Sequence, residues 1–288
     1  MAKLKHTFKT DILFKLLFRK HQNLLQHLVA NLLNIPLESI TYFKLENPEM
    51  TPENMGKKFC RLDIHMTVNG QQVNLEVQVE NEGDYPERAL FHWARMYSSS
   101  LSVGEEYSEL PRTIVISILD FVLFKQYTEF NSEFRILETT RNFPLTDKMI
   151  LHFFELPKIP KIINKDDLLL LWLSLFNANT EEELLKIQEQ GVTELSEAVE
   201  AYHNVTTSAE FREMERMRIK ASHDEAQALG NAERRGEKRG ERRGEKRAEA
   251  KWKNVVAEKD AELSEKDAAL SEKDVIIAEL RAQVKNQV

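Results

Sequence analysis

Residues 61–79 read RLDIHMTVNGQQVNLEVQV, two runs of alternating character hinged on Asn69-Gly70. Asn-Gly between alternating apolar positions signals a hairpin closed by a two-residue turn with positive φ at both positions. In so tight a turn Val68 faces Gln71, and stepping outward along both strands puts Asp63 opposite Glu76. Successive side chains of a strand point to opposite faces. One face then carries Leu62, Ile64, Met66 and Val68 with Val73, Leu75, Val77 and Val79. The other carries Arg61, Asp63, His65 and Thr67 with Gln72, Asn74, Glu76 and Gln78. A one-residue slip would mix the two sets, so the clean segregation supports this register.

The facing acids carry the chemistry. Directly opposed residues place their Cβ atoms about 4.5–5.5 Å apart, and like charges there repel. A hard divalent cation such as Mg²⁺ relieves this, because it takes one or two carboxylates and fills its remaining positions with water and substrate phosphate. It also lowers the pKa of a bound water, the requirement for hydrolysing a phosphodiester. Gln78 shares the face two residues beyond Glu76, where its amide could orient the attacking water or touch a phosphate. A metal-free reading stays open: an exposed hairpin has a polar face by default, and Arg61 or His65 could neutralise the acids.

Outward from the hairpin, residues 8–33 read as one amphipathic helix through Phe8, Ile12, Leu16, Leu25, Leu28 and Leu32, ended by Asn34 and Pro36. Ile40 to Leu45 reads as a short strand and Asn47 to Gly56 as a loop. A helix is predicted from Pro86 to about Ser102, with Asp84 as its cap. Arg112 to Leu119 and Ile150 to Leu156 read as buried strands, and Lys165 to about Ala228 as helical. Arg88, His92 and Arg95 share one face of the second helix, suited to DNA phosphates or, for His92 above all, simply a solvated basic face. Lys57 and Lys58 precede the acid-bearing strand and are further phosphate candidates, whereas Trp93 and Tyr97 read as core.

The C-terminal part changes character. Arg235 to Arg247 is RGEKRGERRGEKR, and residues 233–253 hold ten Lys or Arg against five Glu. Glu alternates with each basic cluster, which suggests Glu-to-Arg or Glu-to-Lys pairing at i,i+4 along a solvated connector rather than a nucleic-acid contact. Val256, Leu263, Leu270, Ile277 and Val284 then repeat every seven residues, but Lys259, Asp260, Lys266 and Asp267 spoil the partner seam. A helix able to pair weakly is expected, giving a homo-oligomer such as a dimer. Three regions result: a core over 1–160, a helical region over 161–230, and a linker with a weak heptad helix over 231–288.

Composition narrows the class. The chain has 288 residues, 42% of them hydrophobic and 30% charged, with a formal net charge of −7, enough for a sizeable core. Its single cysteine, Cys60, excludes a disulfide framework and a thiolate metal site and fits a cytoplasmic location. Asp11, Lys15 and Arg19 interrupt the apolar N-terminal stretch, so no signal peptide is expected, and no apolar run is long enough for a membrane span. His152, His203 and His223 show no metal-ligand spacing.

With these residues in hand, the chain resembles the bacterial Rpn family, recombination-promoting nucleases also described as PD-(D/E)XK nuclease family transposases. The likeness rests on Asp11-Ile12-Leu13-Phe14-Lys15 with Phe18, on Arg61-Leu62-Asp63-Ile64, and on Asn74-Leu75-Glu76-Val77-Gln78. It continues through Arg88 to Tyr97 and Tyr107 to the strand before Phe121, covering about residues 5–125. The resemblance implies an α/β, restriction-endonuclease-like mixed sheet flanked by helices. To this the sequence adds a helical C-terminal part and a long charged helical tail. By resemblance Asp63 and Glu76 are metal ligands for Mg²⁺ or Mn²⁺, the Val77 carbonyl is a further candidate ligand, and Asp11 is an accessory candidate with Lys15 beside it; four apart on a helix, Asp11 and Lys15 read equally as an ordinary surface ion pair. Gln78 stands where the wider superfamily has lysine, so a lower rate is expected. The expected activity is cleavage of double-stranded DNA with little sequence specificity, linked to recombination or mobile elements. The alternative is a catalytically silent DNA-binding or oligomeric scaffold on the same fold.

Overall fold

The computed structural model describes residues 3–47, 49–50, 60–61, 63–102, 104–161 and 164–285. Lys57, Lys58 and Leu62 lie outside them, as do the side chains of Cys60 and Arg61. The chain divides into two compact units, 1–216 and 217–288.

The first unit opens with α1 (Asp11–Lys20) and α2 (Gln22–Leu32), followed by strands β1 (Phe43–Leu45), β2 (Glu49–Met50) and β3 (Cys60–Arg61). The hairpin strands are β4 (Ile64–Val68) and β5 (Gln71–Gln78), after which come α3 (Tyr85–Ser99), β6 (Thr113–Leu119), β7 (Asn131–Phe134) and β8 (Met149–Glu155). Helices α4 (Leu168–Asn177), α5 (Glu181–Gln188) and α6 (Thr193–Thr206) close the unit with the first turns of α7 (Ala209–Lys285).

Asn69 and Gly70 have φ of 48° and 78°, the geometry of the tight hairpin turn read from Asn-Gly. Ile64 pairs with Leu75 and Val68 with Gln71, the register read from the alternation. The Asn69 side chain also ties the turn to the chain entering β1, accepting from the Thr41 and Tyr42 amides at 2.9 and 3.0 Å. The six-stranded sheet runs β1-β4-β5-β6-β8-β7. The β5–β6 and β6–β8 pairs are parallel and the other three antiparallel, so this is a mixed α/β sheet, as the resemblance implies. β2 and β3 form a separate two-stranded ladder inside and beside what reads as a loop.

The apolar face of the hairpin, Ile64, Met66, Val68, Val73 and Leu75, is buried in the main core with α1, α2, α4 and α6. The expected single helix over 8–33 is two helices broken at His21, whose ψ is 71°. No glycine or proline marks the break. Both halves bury apolar residues in the same cluster, so the periodic pattern runs through it undisturbed. Asn34, with φ 53°, ends α2 in the left-handed conformation usual for such a stop. β7, an edge strand of sequence NSEF, has no apolar alternation to announce it. Helices α4 to α6 join the main core through Trp172, Leu184 and Leu195, all fully buried, so these three helices belong to the first compact unit.

The hairpin's polar face is covered rather than solvated. Asn74 and Glu76 are 0% and 1% exposed. α3 lies over this face with Tyr85, Ala89, His92 and Met96 as its buried stripe, against Val115, Leu119, Leu151 and Phe153.

Candidate active site

Glu76 sits in the middle of the sheet, on the strand flanked by β4 and β6. A buried carboxylate is costly unless its oxygens are satisfied, and α3 supplies the partners. His92 Nδ1 bonds Glu76 Oε1, which also accepts from Asn74 Nδ2 at 2.8 Å. The Tyr85 hydroxyl lies 3.5 Å from Glu76 Oε2 and donates to Ser117 Oγ at 2.8 Å. Burial first, and then the Glu76 charge, pushes the Tyr85 hydroxyl well above its ordinary value, so it acts only as a neutral hydrogen-bonding group. His92, read with Arg88 and Arg95 as facing DNA phosphates or solvent, is buried against Glu76 instead.

Asp63 stands one residue before β4. Its Oδ2 accepts from the Val77 amide at 3.3 Å, and its Oδ1 lies 2.8 Å from Lys15 Nζ. Lys15 also pairs with Asp11 at 2.5 Å. The Asp11–Lys15 pair is thus more than a local i,i+4 contact, because the ammonium bridges α1 to the acid-bearing hairpin. Burial is the largest cause raising the Asp63 carboxyl above its usual range, and the Glu76 charge is the next, partly offset by Lys15. Lys15 is itself held above its ordinary value: burial lowers it, but Asp63 and Asp11 together outweigh that. The two acids therefore stand within electrostatic reach of each other.

Gln78, half-buried at the end of β5, accepts from the Arg88 guanidinium through Oε1. Arg88 also lies 4.9 Å over the Tyr85 ring and 3.4 Å from Glu82. Arg95 is half-buried two turns further along α3. Beside Gln78, the Asp120 amide donates to the Gln78 carbonyl at 2.9 Å, and Asp120 pairs with the buried Lys9 at 2.9 Å. His65, weighed as a neutraliser of the acids, instead bonds Gln72 at 2.6 Å.

The donor set suits a hard divalent cation. Two carboxylates repel each other, and Asn74 Oδ1, next to Glu76, is buried with no hydrogen-bond partner among the described residues. Among the described residues no group of three or more His, Cys, Asp and Glu gathers for a metal. Mg²⁺ in general takes one or two carboxylates and keeps several waters.

A family model for PD-(D/E)XK nuclease family transposases matches residues 8–232. The chain belongs to that family. The match takes in the acids, Lys15, α3 and the helices after the sheet, and marks a nuclease related to transposition. Nucleases of this family typically use divalent metals. Comparisons with curated proteins and with solved structures returned no match. Among the described residues no helix is long and apolar enough to cross a membrane.

Sequence reasoning missed the roles of His92, Asn74, Tyr85 and Lys9. A signal was present for two of them. Asn74 shares a strand face with Glu76, and His92 falls seven residues after Tyr85, on one stripe of α3.

Proposed function

We propose that this nuclease is a cytoplasmic, metal-dependent endonuclease that hydrolyses double-stranded DNA with low sequence specificity, using Asp63, Glu76 and Gln78. The observation that carries the reading is the position of Asp63, one residue beyond the Ile64–Leu75 pair, with its Oδ2 accepting from the Val77 amide beside Glu76 at 3.3 Å. Asp63 and Glu76 would hold one Mg²⁺ or Mn²⁺. When bound, the ion supplies a water of lowered pKa and positive charge for the phosphate. His92 and Asn74 fix the Glu76 carboxylate, and the Val77 amide orients Asp63. Lys15 brings an ammonium to the site where Gln78 has none, with Asp11 as its accessory partner. Arg88 holds the Gln78 amide, and Arg88 and Arg95 are the nearby cations for DNA phosphates. Lys57 and Lys58 remain candidates from sequence alone.

A silent scaffold is favoured by one observation: Asp63 already has both oxygens engaged, by Lys15 and Val77. Supercoiled plasmid separates the two readings. The nuclease nicks it with Mg²⁺ or Mn²⁺, stops with EDTA, and loses activity by at least about 10²-fold in Asp63→Ala and Glu76→Ala. DNA binding with no metal-dependent nicking would leave the scaffold standing.

We also propose that the second unit pairs with a second copy of the chain. Val256, Leu263, Leu270 and Ile277 are exposed in a heptad stripe. Lysines 259, 266 and 273 flank it on one side and aspartates 260, 267 and 274 on the other. Parallel pairing sets Lys against Asp, whereas antiparallel pairing sets like against like. Sedimentation should give a dimer, and Leu263→Cys in a Cys60→Ser background should crosslink to itself. A monomer at all concentrations ends the proposal.

A further inference from the structure

The repeat RGEKRGERRGEKR, 235–247, lies wholly within α7 and is exposed along its length. An α-helix turns about 100° per residue, so a four-residue period returns each residue type about 40° further round. The cations at 235, 238, 239, 242, 243, 246 and 247 therefore follow i, i+3, i+4, i+7, i+8 spacing. They occupy one side of the helix, an arc of about 180°. Glu237, Glu241 and Glu245 fall opposite, within an arc of about 80°.

The i,i+4 pairing of unlike charges expected from the alternation does not exist here. The residue four positions on always has the same charge: Arg235 meets Arg239, and Glu237 meets Glu241. Among the described residues none of the seven cations lies in an ion pair, and the next ion pair along the helix, Lys253 with Glu249 at 2.9 Å, lies beyond the repeat. Like charges at this spacing repel, so a polyanion laid along the face relieves the helix as well as binding it.

The opposite side holds Glu and Gly, with no apolar residue between 235 and 247. A helix lying on a lipid surface needs an apolar face to bury, and this one has none. Thirteen helical residues span about 20 Å. One DNA strand places about six phosphates along that length, close to the number of cations.

We propose that this face of α7 binds the phosphate backbone of duplex DNA without reading sequence. The choice of DNA among polyanions rests on the nuclease reading above. The test is fluorescence anisotropy of a labelled duplex of about 20 base pairs with the full chain in EDTA, from about 50 to 300 mM NaCl. Replacing Arg235, Arg239, Arg243 and Arg247 by Gln, a good helix former, should weaken binding about tenfold or more at low salt. The slope of log affinity against log salt should flatten by about 3–4, near 0.9 per cation removed. A control with Glu237, Glu241 and Glu245 changed to Gln should bind as tightly as the parent or tighter.

The inference fails if the arginine variant keeps the parent affinity and slope. It fails if both variants lose binding equally, which would report the helix rather than its charge. It also fails if the parent chain binds phosphatidylserine vesicles in preference to duplex. A fallen slope without plasmid nicking by the parent chain sinks only the nuclease reading. Nicking with an unchanged slope sinks only this inference.

Discussion

Lys15 sits between Asp11 and Asp63 and brings a positive charge to a site whose own strand offers only the neutral amide of Gln78. A cation aimed at a phosphate gaining negative charge is worth most in a site shielded from water, and the Lys15 side chain is only 17% exposed. Lys15→Ala should lower plasmid nicking by about 10²–10³-fold and change duplex affinity by less than about tenfold. That pattern is the one expected of a residue acting on turnover rather than on holding DNA. Unchanged nicking in a folded Lys15→Ala protein would remove the residue from the reaction. The two acids themselves were legible in the sequence, because Asn-Gly fixes the turn and strict alternation fixes the register. Their surroundings were not. Asn74 and Glu76 look like solvent-facing polar positions on a hairpin. Only the arrival of α3, with a histidine and a tyrosine on its apolar stripe, makes burying them tolerable.

At the level of elements, α2 and α4 meet through one polar contact inside the core. Trp172 Nε1 donates to His27 Nδ1 at 2.8 Å, which requires that ring nitrogen to be unprotonated. Burial lowers the His27 pKa, opposed by Glu194, and burial likewise lowers His152. In each case the folded chain binds fewer protons than the unfolded one just below the ordinary histidine value of 6.5. Stability is then complete above that pH and is lost as pH falls through the lowered folded values. The thermal midpoint should be flat from about pH 8 to 7 and fall on acidification towards pH 5, and His27→Gln should fall less steeply. Equal slopes in the two proteins would assign the acid loss elsewhere. The split between α1 and α2 belongs to this scale as well. It has no signature because His21 turns the chain without glycine or proline, and only the packing of both halves against the helices after the sheet requires it.

Across the whole chain, the first compact unit ends at residue 216 rather than with the sheet. Trp172, Phe176 and Tyr202 are buried against α1 and α2, and truncating one large buried aromatic alone costs about 3–5 kcal/mol. A chain cut at residue 160 loses all three and should be insoluble or molten. A chain cut at 216 should melt cooperatively and nick plasmid with metal, while binding duplex less well as salt rises. A folded 1–160 fragment would show that the later helices are an addition to the nuclease rather than part of it. The sequence could not show this, because α4 to α6 read simply as helices, and their apolar faces do not say which sheet they cover.

The strand that bears Glu76 is zipped on both sides, antiparallel to β4 and parallel to β6. Successive amides bond opposite neighbours, so Leu75 and Glu76 are freed together only when both ladders open, and their hydrogen exchange should track global unfolding rather than local fraying. The acid of the proposed metal site is thereby mounted on a strand held from both sides. Substitutions at the rim can retune contacts to substrate without loosening it.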